Sequence, residues 1–351
     1  MRYFLPSVCL NVLIGLAVST SSVRAETPEQ FPKPTPNSAD EPLAKSLSLA
    51  ASARFLDAAS VNWTQNRKCA TCHTNVAYLL ARPALKDNPS EGMAIVRRFF
   101  EDRVAHWDDD AKEAKPRHSA EVVVTAAALA VNDARTTGKL HPLSRKALDR
   151  MWTRQRTDGA WDWLKCTWPP MEHDDYFGAV LAAVGTAIAP DGYARSDAAR
   201  PGLDKLKQYL RKTPAPNLHH QAWLLWASSN LDSLMTADER QQTIKQLLAL
   251  QCADGGWSLP SLGDWKGFDG RENDKKAPSD GYATGLVVYV LRQAGIEAKD
   301  EPIRRGVHWL ETNQRASGRW FTRSLNTDRA HYITNTGTAF AVLALKACAE
   351  K

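Results

Sequence analysis

Two cysteines and a histidine stand at a spacing that supports covalent attachment of a metal cofactor. The stretch Cys69-Ala70-Thr71-Cys72-His73 has the form C-x-x-C-H, in which two thiols add to the vinyl groups of a haem and the adjacent imidazole binds the iron. A disulfide between the two cysteines and a fragment of a zinc site are the alternatives. No second Cys or His pair follows closely at zinc-finger spacing, so zinc is the weaker of them. The sequence predicts one covalent c-type haem, attached through Cys69 and Cys72 and ligated at its iron by His73.

The residue on the other side of the iron is not fixed by a motif. Candidates at the starts of apolar helical segments are His118, His173, His219, His220 and His331, together with Met171 beside His173. On position alone we rank His118, His331 and Met171 first, since a distal His or Met would tune the reduction potential. The alternative for each histidine is an ordinary helix-start residue. An open sixth position would favour chemistry with peroxide or another small ligand.

The beginning of the chain has the layout of a secretory signal. Arg2 is followed by an apolar stretch over residues 5–18 and by Val-Arg-Ala at residues 23–25, which resembles a cleavage site. The apolar stretch is too short and too interrupted for a permanent membrane span. We expect residues 1–25 to be removed, leaving an exported, periplasmic protein with no membrane span.

Composition and charge exclude several classes of protein. Hydrophobic residues make up 43% of the chain, which excludes disordered, collagen-like and coiled-coil proteins. The net charge of +6 is spread along the sequence, which argues against a nucleic-acid partner. Residues 26–43 are rich in proline and polar residues and are expected to be an extended linker without a core. The folded domain is expected over residues 44–351.

A repeated pattern points to the architecture. A Gln stands six residues before a Trp, with Gly between them, in three stretches: Gln155–Trp161, Gln251–Trp257 and Gln314–Trp320. Each stretch follows an amphipathic segment and precedes an apolar one. The Gly can end the first helix in a left-handed conformation, and the Gln and Trp can tie that end to the neighbouring helix.

In these repeats the chain resembles the squalene-cyclase and protein-prenyltransferase superfamily, whose Gln…Gly-x-Trp repeats join the helices of an α/α toroid. The resemblance covers most of residues 45–350 and is sharpest over Leu248–Trp257, Ser279–Gly295 and Trp309–Leu345. It implies an all-α fold, a single α6/α6 toroid, and a cavity for an apolar or isoprenoid molecule. Residues that could line such a cavity, or simply form core, are Trp223, Trp226, Tyr176, Phe177, Tyr282, Tyr289 and Phe340.

The helical periodicity agrees with that architecture. Amphipathic segments expected in an outer ring cover roughly 44–60, 90–107, 142–156, 199–212, 237–252 and 302–315. Segments rich in Ala, Gly, Val and Leu, expected in an inner ring, cover roughly 72–85, 119–134, 173–188, 217–230, 280–294 and 332–348. The two kinds alternate without a break.

The same resemblance makes Asp174 and Asp175 candidate catalytic residues. Class II terpene cyclases use an Asp-x-Asp-Asp motif as a proton donor, and this chain has Glu172-His173-Asp174-Asp175. The first Asp is replaced by Glu, and the second α/α domain of such cyclases is missing. The alternative is an acidic first turn that complements a helix dipole. The prenyltransferase reaction needs a zinc site, a partner subunit and a prenyl diphosphate, which an exported protein would not ordinarily meet.

The position of the C-x-x-C-H motif relates the predicted haem site to the predicted toroid. It precedes the first inner segment, and Trp63 precedes it as Trp161 precedes a later loop. Such loops gather at one mouth of a toroid, so the haem is expected at the rim of the cavity. We predict electron transfer with a partner protein or haem-dependent oxidoreductase chemistry. The alternative is a cyclase-like enzyme or a lipid-binding toroid without haem. Among Cys166, Cys252 and Cys348 at most one disulfide can form, and its pairing stays open.

Overall fold

The described part of the chain is helical throughout. The computed structural model describes Met1 and residues 30–86, 90–107 and 116–349, and for 116–118 it describes the backbone alone. Apart from Met1, the predicted signal peptide lies outside these ranges. Within them there are twelve α-helices and no β-strand, which confirms the all-α class. No helix in this part of the chain combines the length and the apolar composition that a membrane span requires.

The helices are of two kinds that alternate along the chain. Six carry exposed side chains within their length: α1 (Leu49–Arg67), α3 (Gly92–His106), α5 (Pro142–Thr153), α7 (Arg200–Lys212), α9 (Ala237–Ala249) and α11 (Glu301–Thr312). Six are buried over most of their length: α2 (Ala77–Ala81), α4 (Pro116–Arg135), α6 (Asp175–Ile188), α8 (Leu218–Ser228), α10 (Gly281–Gln293) and α12 (Ile333–Ala349). A π-helical turn, Cys72–Val76, leads into α2, and a 3-10 turn, Arg82–Leu85, follows it.

The sequence explains the two kinds. On α7 the buried residues are Gly202, Leu203, Leu206 and Leu210, spaced three and four apart on one face. On α6 every residue from Tyr176 to Thr186 is buried, and none of them is charged. A helix that is apolar all round is stable only when other helices cover all of its faces.

Short polar side chains begin three of the buried helices. Asp174 accepts a hydrogen bond from the Phe177 backbone N–H at 3.1 Å and so caps α6. Asn217 caps α8 and Asp280 caps α10 in the same manner. Each side-chain oxygen satisfies a backbone donor that has no partner within the helix, which fixes where these helices start.

The buried helices pack on one another in chain order. α2 contacts α4, α4 contacts α6, α6 contacts α8, α8 contacts α10, and α10 contacts α12. The last of them, α12, also contacts α2. Each exposed helix packs on one or two buried ones; α1 lies against α2 and α12, and α11 lies against α10 and α12. The core therefore lies between consecutive buried helices, and its first and last members are neighbours.

Each repeat turn joins two exposed helices through its glutamine. Gln155 Nε2 donates to the Gly159 carbonyl oxygen in its own turn at 2.9 Å and to the Gly202 carbonyl oxygen of α7 at 2.8 Å. Gln251 bridges Gly255 and Pro302 of α11 at 2.8 Å each. The link from one helix end to the next helix confirms the role predicted for the glutamines.

The glycine and tryptophan of the repeat act differently from the expectation. Gly159, with φ +99°, lies in a tight turn beyond the end of α5 rather than at the helix end itself. Trp161 is fully buried, and its indole N–H donates back to Met151 of α5 at 2.8 Å. The other two repeat tryptophans make the same bond to α9 and α11 at 2.7 Å. The tryptophan thus holds the turn to its own helix, while the glutamine reaches the next one.

The third repeat turn contacts the first helix. Gln314 Nε2 donates to the Ser48 carbonyl oxygen at 3.0 Å, and the Ser48 backbone N–H donates to Gln314 Oε1 at 2.7 Å across 266 residues of sequence. Ser48 is also the residue that caps α1. The end of α11 is therefore fixed to the beginning of α1.

Residues 31–43, expected to be a linker, are hydrogen-bonded to the helical domain. The compact unit begins at Phe31. Arg319 is buried, pairs with Glu41, and donates through Nη1 to the Thr35 carbonyl oxygen at 2.9 Å and to Asn37 Oδ1 at 2.6 Å. The segment is extended, as its prolines suggest, and Arg319 holds it against the domain.

The first helix is longer than expected. It continues past residue 60 to Arg67, so Trp63 is a helical residue and not the counterpart of the repeat tryptophans. Its indole N–H donates forward to the Cys69 carbonyl oxygen at 3.1 Å. Lys68, in the left-handed conformation with φ 50°, ends the helix, and the C-x-x-C-H stretch follows at once.

Candidate functional site

The backbone of residues 69–73 is fixed by hydrogen bonds from both sides. The Cys69 carbonyl oxygen accepts from the Trp63 indole at 3.1 Å and from Asn75 Nδ2 at 3.0 Å. The Thr71 backbone N–H donates to Asn75 Oδ1 at 2.9 Å. The amide of Asn75 therefore spans the turn between α1 and α2, and Thr71 is held extended before the π-helical turn begins.

The two thiols of the motif differ in access. Cys69 is exposed, whereas Cys72 is buried with 4% of its surface exposed. Burial raises the pKa of the Cys72 thiol, and the Glu172 carboxylate raises it further. Cys72 is therefore a protonated thiol at neutral pH. Outside the motif, Cys166 is exposed, and Cys252 and Cys348 are partly buried.

The His73 ring is enclosed by two aromatic side chains. The Trp63 ring stands perpendicular to it at a centroid distance of 4.8 Å, and the Tyr332 ring stacks on it at 5.3 Å with an angle of 14°. Tyr332 comes from the segment just before α12, far away in sequence. The two rings restrict rotation of the imidazole, which is the condition a metal-binding histidine needs.

Hydrogen bonds distinguish the two nitrogens of His73. Nδ1 lies 2.9 Å from Thr74 Oγ1, which also accepts from Asn335 Nδ2 at 3.0 Å. Nε2 has no hydrogen-bond partner among the described residues. Burial lowers the pKa of His73, so the ring is neutral at pH 7, and one of its two tautomers places the proton on Nδ1, within reach of the Thr74 hydroxyl oxygen. Its Nε2 lone pair is then available to a metal.

A loop before α6 approaches the motif from the other side. Glu172 Oε1 accepts a hydrogen bond from the Thr71 hydroxyl at 3.0 Å. His73 and Met171 line the same small cavity of about 20 Å³, and Met171 is itself buried. Among the ranked distal candidates, Met171 is thus the one found beside His73.

The other two ranked candidates have different positions. His331 precedes α12; its Nδ1 accepts from the Ser324 backbone N–H at 3.1 Å, and burial lowers its pKa. It lines a second cavity of about 600 Å³, whose walls come from residues 33–37, α1 and residues 329–335. Trp63 and Tyr332 also line this cavity, so it adjoins the surroundings of His73. The side chain of His118 lies outside the described residues.

Two further histidines lie in the core. His219 and His220 are fully buried on α8. His219 Nε2 lies 2.7 Å from the Tyr282 hydroxyl, and His220 Nε2 lies 3.2 Å from Asp174 Oδ2. Burial lowers the pKa of His219. These contacts bind both histidines to neighbouring helices, which is the structural alternative considered for them.

The paired aspartates are engaged in structural contacts. Burial raises the pKa of Asp174, but the neighbouring His220 side chain and the hydrogen bond from the Phe177 backbone N–H outweigh it, so the net pKa lies below its ordinary value. An ionised carboxylate that caps α6 is not a proton donor. Asp175 accepts from Arg156 Nη1 at 2.7 Å and from the Trp163 backbone N–H at 3.2 Å. This geometry supports the helix-start interpretation of both residues.

The aromatic residues that could line a central cavity pack on one another. Phe340 of α12 contacts Trp223 of α8 at a centroid distance of 5.3 Å and Tyr282 of α10 at 5.7 Å, both edge to face. All seven of these aromatic side chains have between 0 and 4% of their surface exposed. This packing supports the core interpretation.

Several residues of the site carry no signal in the sequence. Glu172 contacts the motif from about 100 residues away in sequence, and Tyr332 and Asn335 do so from about 260 residues away. No local spacing predicts that these residues lie beside the motif. No group of three or more His, Cys, Asp or Glu side chains in the described ranges is arranged to hold a metal ion. No protein-family model matches the sequence, and no curated protein is significantly similar to it.

Proposed function

We propose that the twelve helices form an α6/α6 toroid, with the buried helices as its inner ring. The contact between α12 and α2 supports closure of the inner ring. The bonds between Gln314 and Ser48 support closure of the outer one. Both contacts join the last repeat to the first, as the arrangement requires.

We propose that the protein is an exported c-type haem protein. The observation that carries this is the state of His73: a neutral imidazole, held between two aromatic rings, with Nδ1 engaged and Nε2 available. It directly follows Cys72 in the C-x-x-C-H sequence. A haem bound here supplies one-electron redox chemistry at its iron.

The residues of the C-x-x-C-H motif fit a covalently attached haem, provided that attachment precedes packing of the fold. Cys69 is exposed and His73 presents a ligand nitrogen. Cys72 is buried, so its thioether bond has to form before the chain around it is fully packed. The three-residue set is compatible with attachment during export and not with attachment to the finished fold.

The surrounding side chains would tune the iron ligand. In the tautomer that would bind iron through Nε2, the Nδ1–H of His73 donates to Thr74 Oγ1, and Asn335 Nδ2 donates to the same oxygen. Such outer partners fix the tautomer of a ligating histidine and raise its basicity. Met171, buried beside His73, is the distal ligand we favour, and a His/Met pair is suited to electron transfer. A periplasmic redox protein would be its partner.

The test is covalent haem content. The full-length chain, exported together with a c-type haem maturation system, is expected to keep one haem per chain after denaturation, measured by haem staining and a pyridine haemochrome spectrum. The double variant Cys69→Ala/Cys72→Ala is expected to lose it. His73→Ala is expected to keep covalent haem with an altered native spectrum.

A cysteine outside the motif gives the matched control. Cys252 is a free cysteine in a repeat turn, and Cys252→Ala is expected to load haem as the wild type does. A wild-type protein that emerges without haem, from cells in which a reference cytochrome is matured, would refute the proposal.

A further inference from the structure

The 600 Å³ cavity has a rim of unopposed positive charge. Lys33, Arg67 and Arg329 line it, and all three are exposed. None of them makes an ion pair with another residue in the described ranges. No Asp or Glu belongs to its lining, and Asp328, the carboxylate next to Arg329 in sequence, is already paired with Arg323. The charge is therefore available to a ligand.

The floor of the same cavity is apolar and aromatic. Phe55 and Ala59 of α1 are buried there, and Trp63 and Tyr332 form half-buried aromatic walls. Flat aromatic surfaces favour a flat, apolar ligand, because ring stacking adds to the burial of apolar area. The volume lies within the range of small-molecule sites, about 300–1,000 Å³.

The wall formed by residues 33–37 is fixed in place. Arg319 binds Thr35 and Asn37, as described above, and Asn37 Nδ2 donates to the His331 carbonyl oxygen at 3.0 Å. The segment therefore connects the two sides of the cavity before any ligand arrives. A preformed site does not lose binding free energy to ordering of its walls.

We propose that this cavity binds a flat, apolar molecule that carries carboxylate groups. The carboxylates meet Arg67 and Arg329, and the apolar body packs on Phe55, Trp63 and Tyr332. Two sources share this chemistry: the propionate edge of a haem attached at Cys69, and a separate aromatic carboxylate. The first source rests on the proposed function, whereas the second does not.

The test uses protoporphyrin IX as a probe, since it is a flat, apolar dicarboxylate. It is titrated into the haem-free Cys69→Ala/Cys72→Ala protein and, as a second haem-free form, into wild type produced without a maturation system. Binding is measured by tryptophan quenching and porphyrin fluorescence anisotropy. Arg67→Gln/Arg329→Gln is expected to weaken binding about tenfold, and added salt is expected to weaken it as well.

Arg54 provides the matched control, because it is an exposed arginine on α1 that does not line the cavity. Arg54→Gln is expected to bind the porphyrin as its parent does. Equal affinity in Arg67→Gln/Arg329→Gln and Arg54→Gln, or no saturable binding to either haem-free form, would overturn the assignment.

The haem-loaded protein distinguishes the two sources. If it no longer takes up the porphyrin, the attached haem already occupies the cavity; if it binds with unchanged affinity, the site serves a separate ligand. A wild type that acquires no haem in the maturation test refutes the proposed function alone. Charge-dependent porphyrin binding by the haem-free protein would still establish the cavity as a carboxylate site.

Discussion

At the scale of single residues, His73 shows which parts of a site can be predicted from a sequence and which cannot. The grouping of the two thiols and the imidazole was visible in the sequence because their spacing is local. The partners of that imidazole were not, because Tyr332 and Asn335 come from the other end of the domain. The aspartates gave the reverse case: a motif-like sequence whose side chains cap a helix and pair with Arg156.

The Thr74 hydroxyl is expected to set the potential of an iron bound to His73. Thr74→Val keeps the shape of the side chain but removes the hydroxyl that lies 2.9 Å from Nδ1 and that would accept its proton when Nε2 binds iron. The imidazole then becomes a weaker donor, which favours the reduced iron and raises the midpoint potential, by roughly 60 mV for each tenfold change in relative affinity. Spectroelectrochemical titration of the haem-loaded variant measures this.

Thr153→Val serves as the comparison, since Thr153 is exposed at the end of α5. The same midpoint potential in Thr74→Val and Thr153→Val would show that the hydrogen bond at Nδ1 has no influence on the iron.

At the scale of elements, periodicity predicted the number, kind and order of the helices, because a stripe of apolar residues or its absence is a local property. The end of α1 was missed: Gln65, Asn66 and Arg67 are exposed, so the apolar signal stops although the helix does not. The segment over 31–43 was expected to be a tether. Its prolines predict an extended backbone. The residue that holds it to the domain, Arg319, lies about 280 residues away in sequence, so the attachment could not be predicted locally.

The pairing of Glu41 with Arg319 makes attachment of that segment dependent on pH. Burial raises the pKa of Glu41, but hydrogen bonds from Ser317 and Arg319 outweigh it and hold the pKa below the ordinary value of 4.5. A carboxylate whose pKa is lower in the folded than in the unfolded protein stabilises the fold at pH values above its unfolded-state pKa. This stabilisation is lost as the pH falls through the folded-state pKa. The wild type should therefore lose its stability advantage over Glu41→Gln between about pH 5 and pH 3.

Urea unfolding at a series of pH values measures that difference. Asp40→Asn is the control, since Asp40 is exposed and its carboxylate has no ion pair in the described structure. A stability gap between wild type and Glu41→Gln that stays constant from pH 7 to pH 3 would contradict the argument.

At the scale of the whole molecule, the repeats predicted a toroid, and the structure shows which residues of the last repeat contact the first helix. Gln314 and Gly318 of the last repeat turn meet Ser48 and Ala51 at the start of α1. The glutamine was predicted to reach a neighbouring helix, and that neighbour is the first helix of the domain. Residue identity alone does not reveal a contact across 266 residues.

Gly318→Ala is expected to break this contact. Gly318 has φ +93°, and a Cβ there would lie 2.3 Å from the Ala51 carbonyl carbon, so the backbone of α1 has to move. Gly270 has φ +79°, and a Cβ there would have no atom within 4 Å. Gly270→Ala therefore measures only the cost of placing an alanine at positive φ, about 1 kcal/mol. Gly318→Ala should lose at least about 2 kcal/mol more, measured by chemical denaturation.

Equal losses in the two glycine variants would mean that the close approach to α1 contributes nothing to stability. Hydrogen exchange gives a second observable: in Gly318→Ala the amides of α1 should exchange faster than in Gly270→Ala.

Two side chains that hydrogen-bond to the C-x-x-C-H stretch come after it in the sequence. The Cys72 carbonyl oxygen accepts from the Thr336 hydroxyl at 3.2 Å, and Glu172 reaches Thr71 across 101 residues. While the chain is being made, residues 69–73 emerge long before either partner exists. If a haem is attached there during export, as proposed, both thiols would be accessible until these later segments pack against residues 69–73. Under that proposal, the order in which these segments pack would decide whether a chain acquires haem before Cys72 is buried.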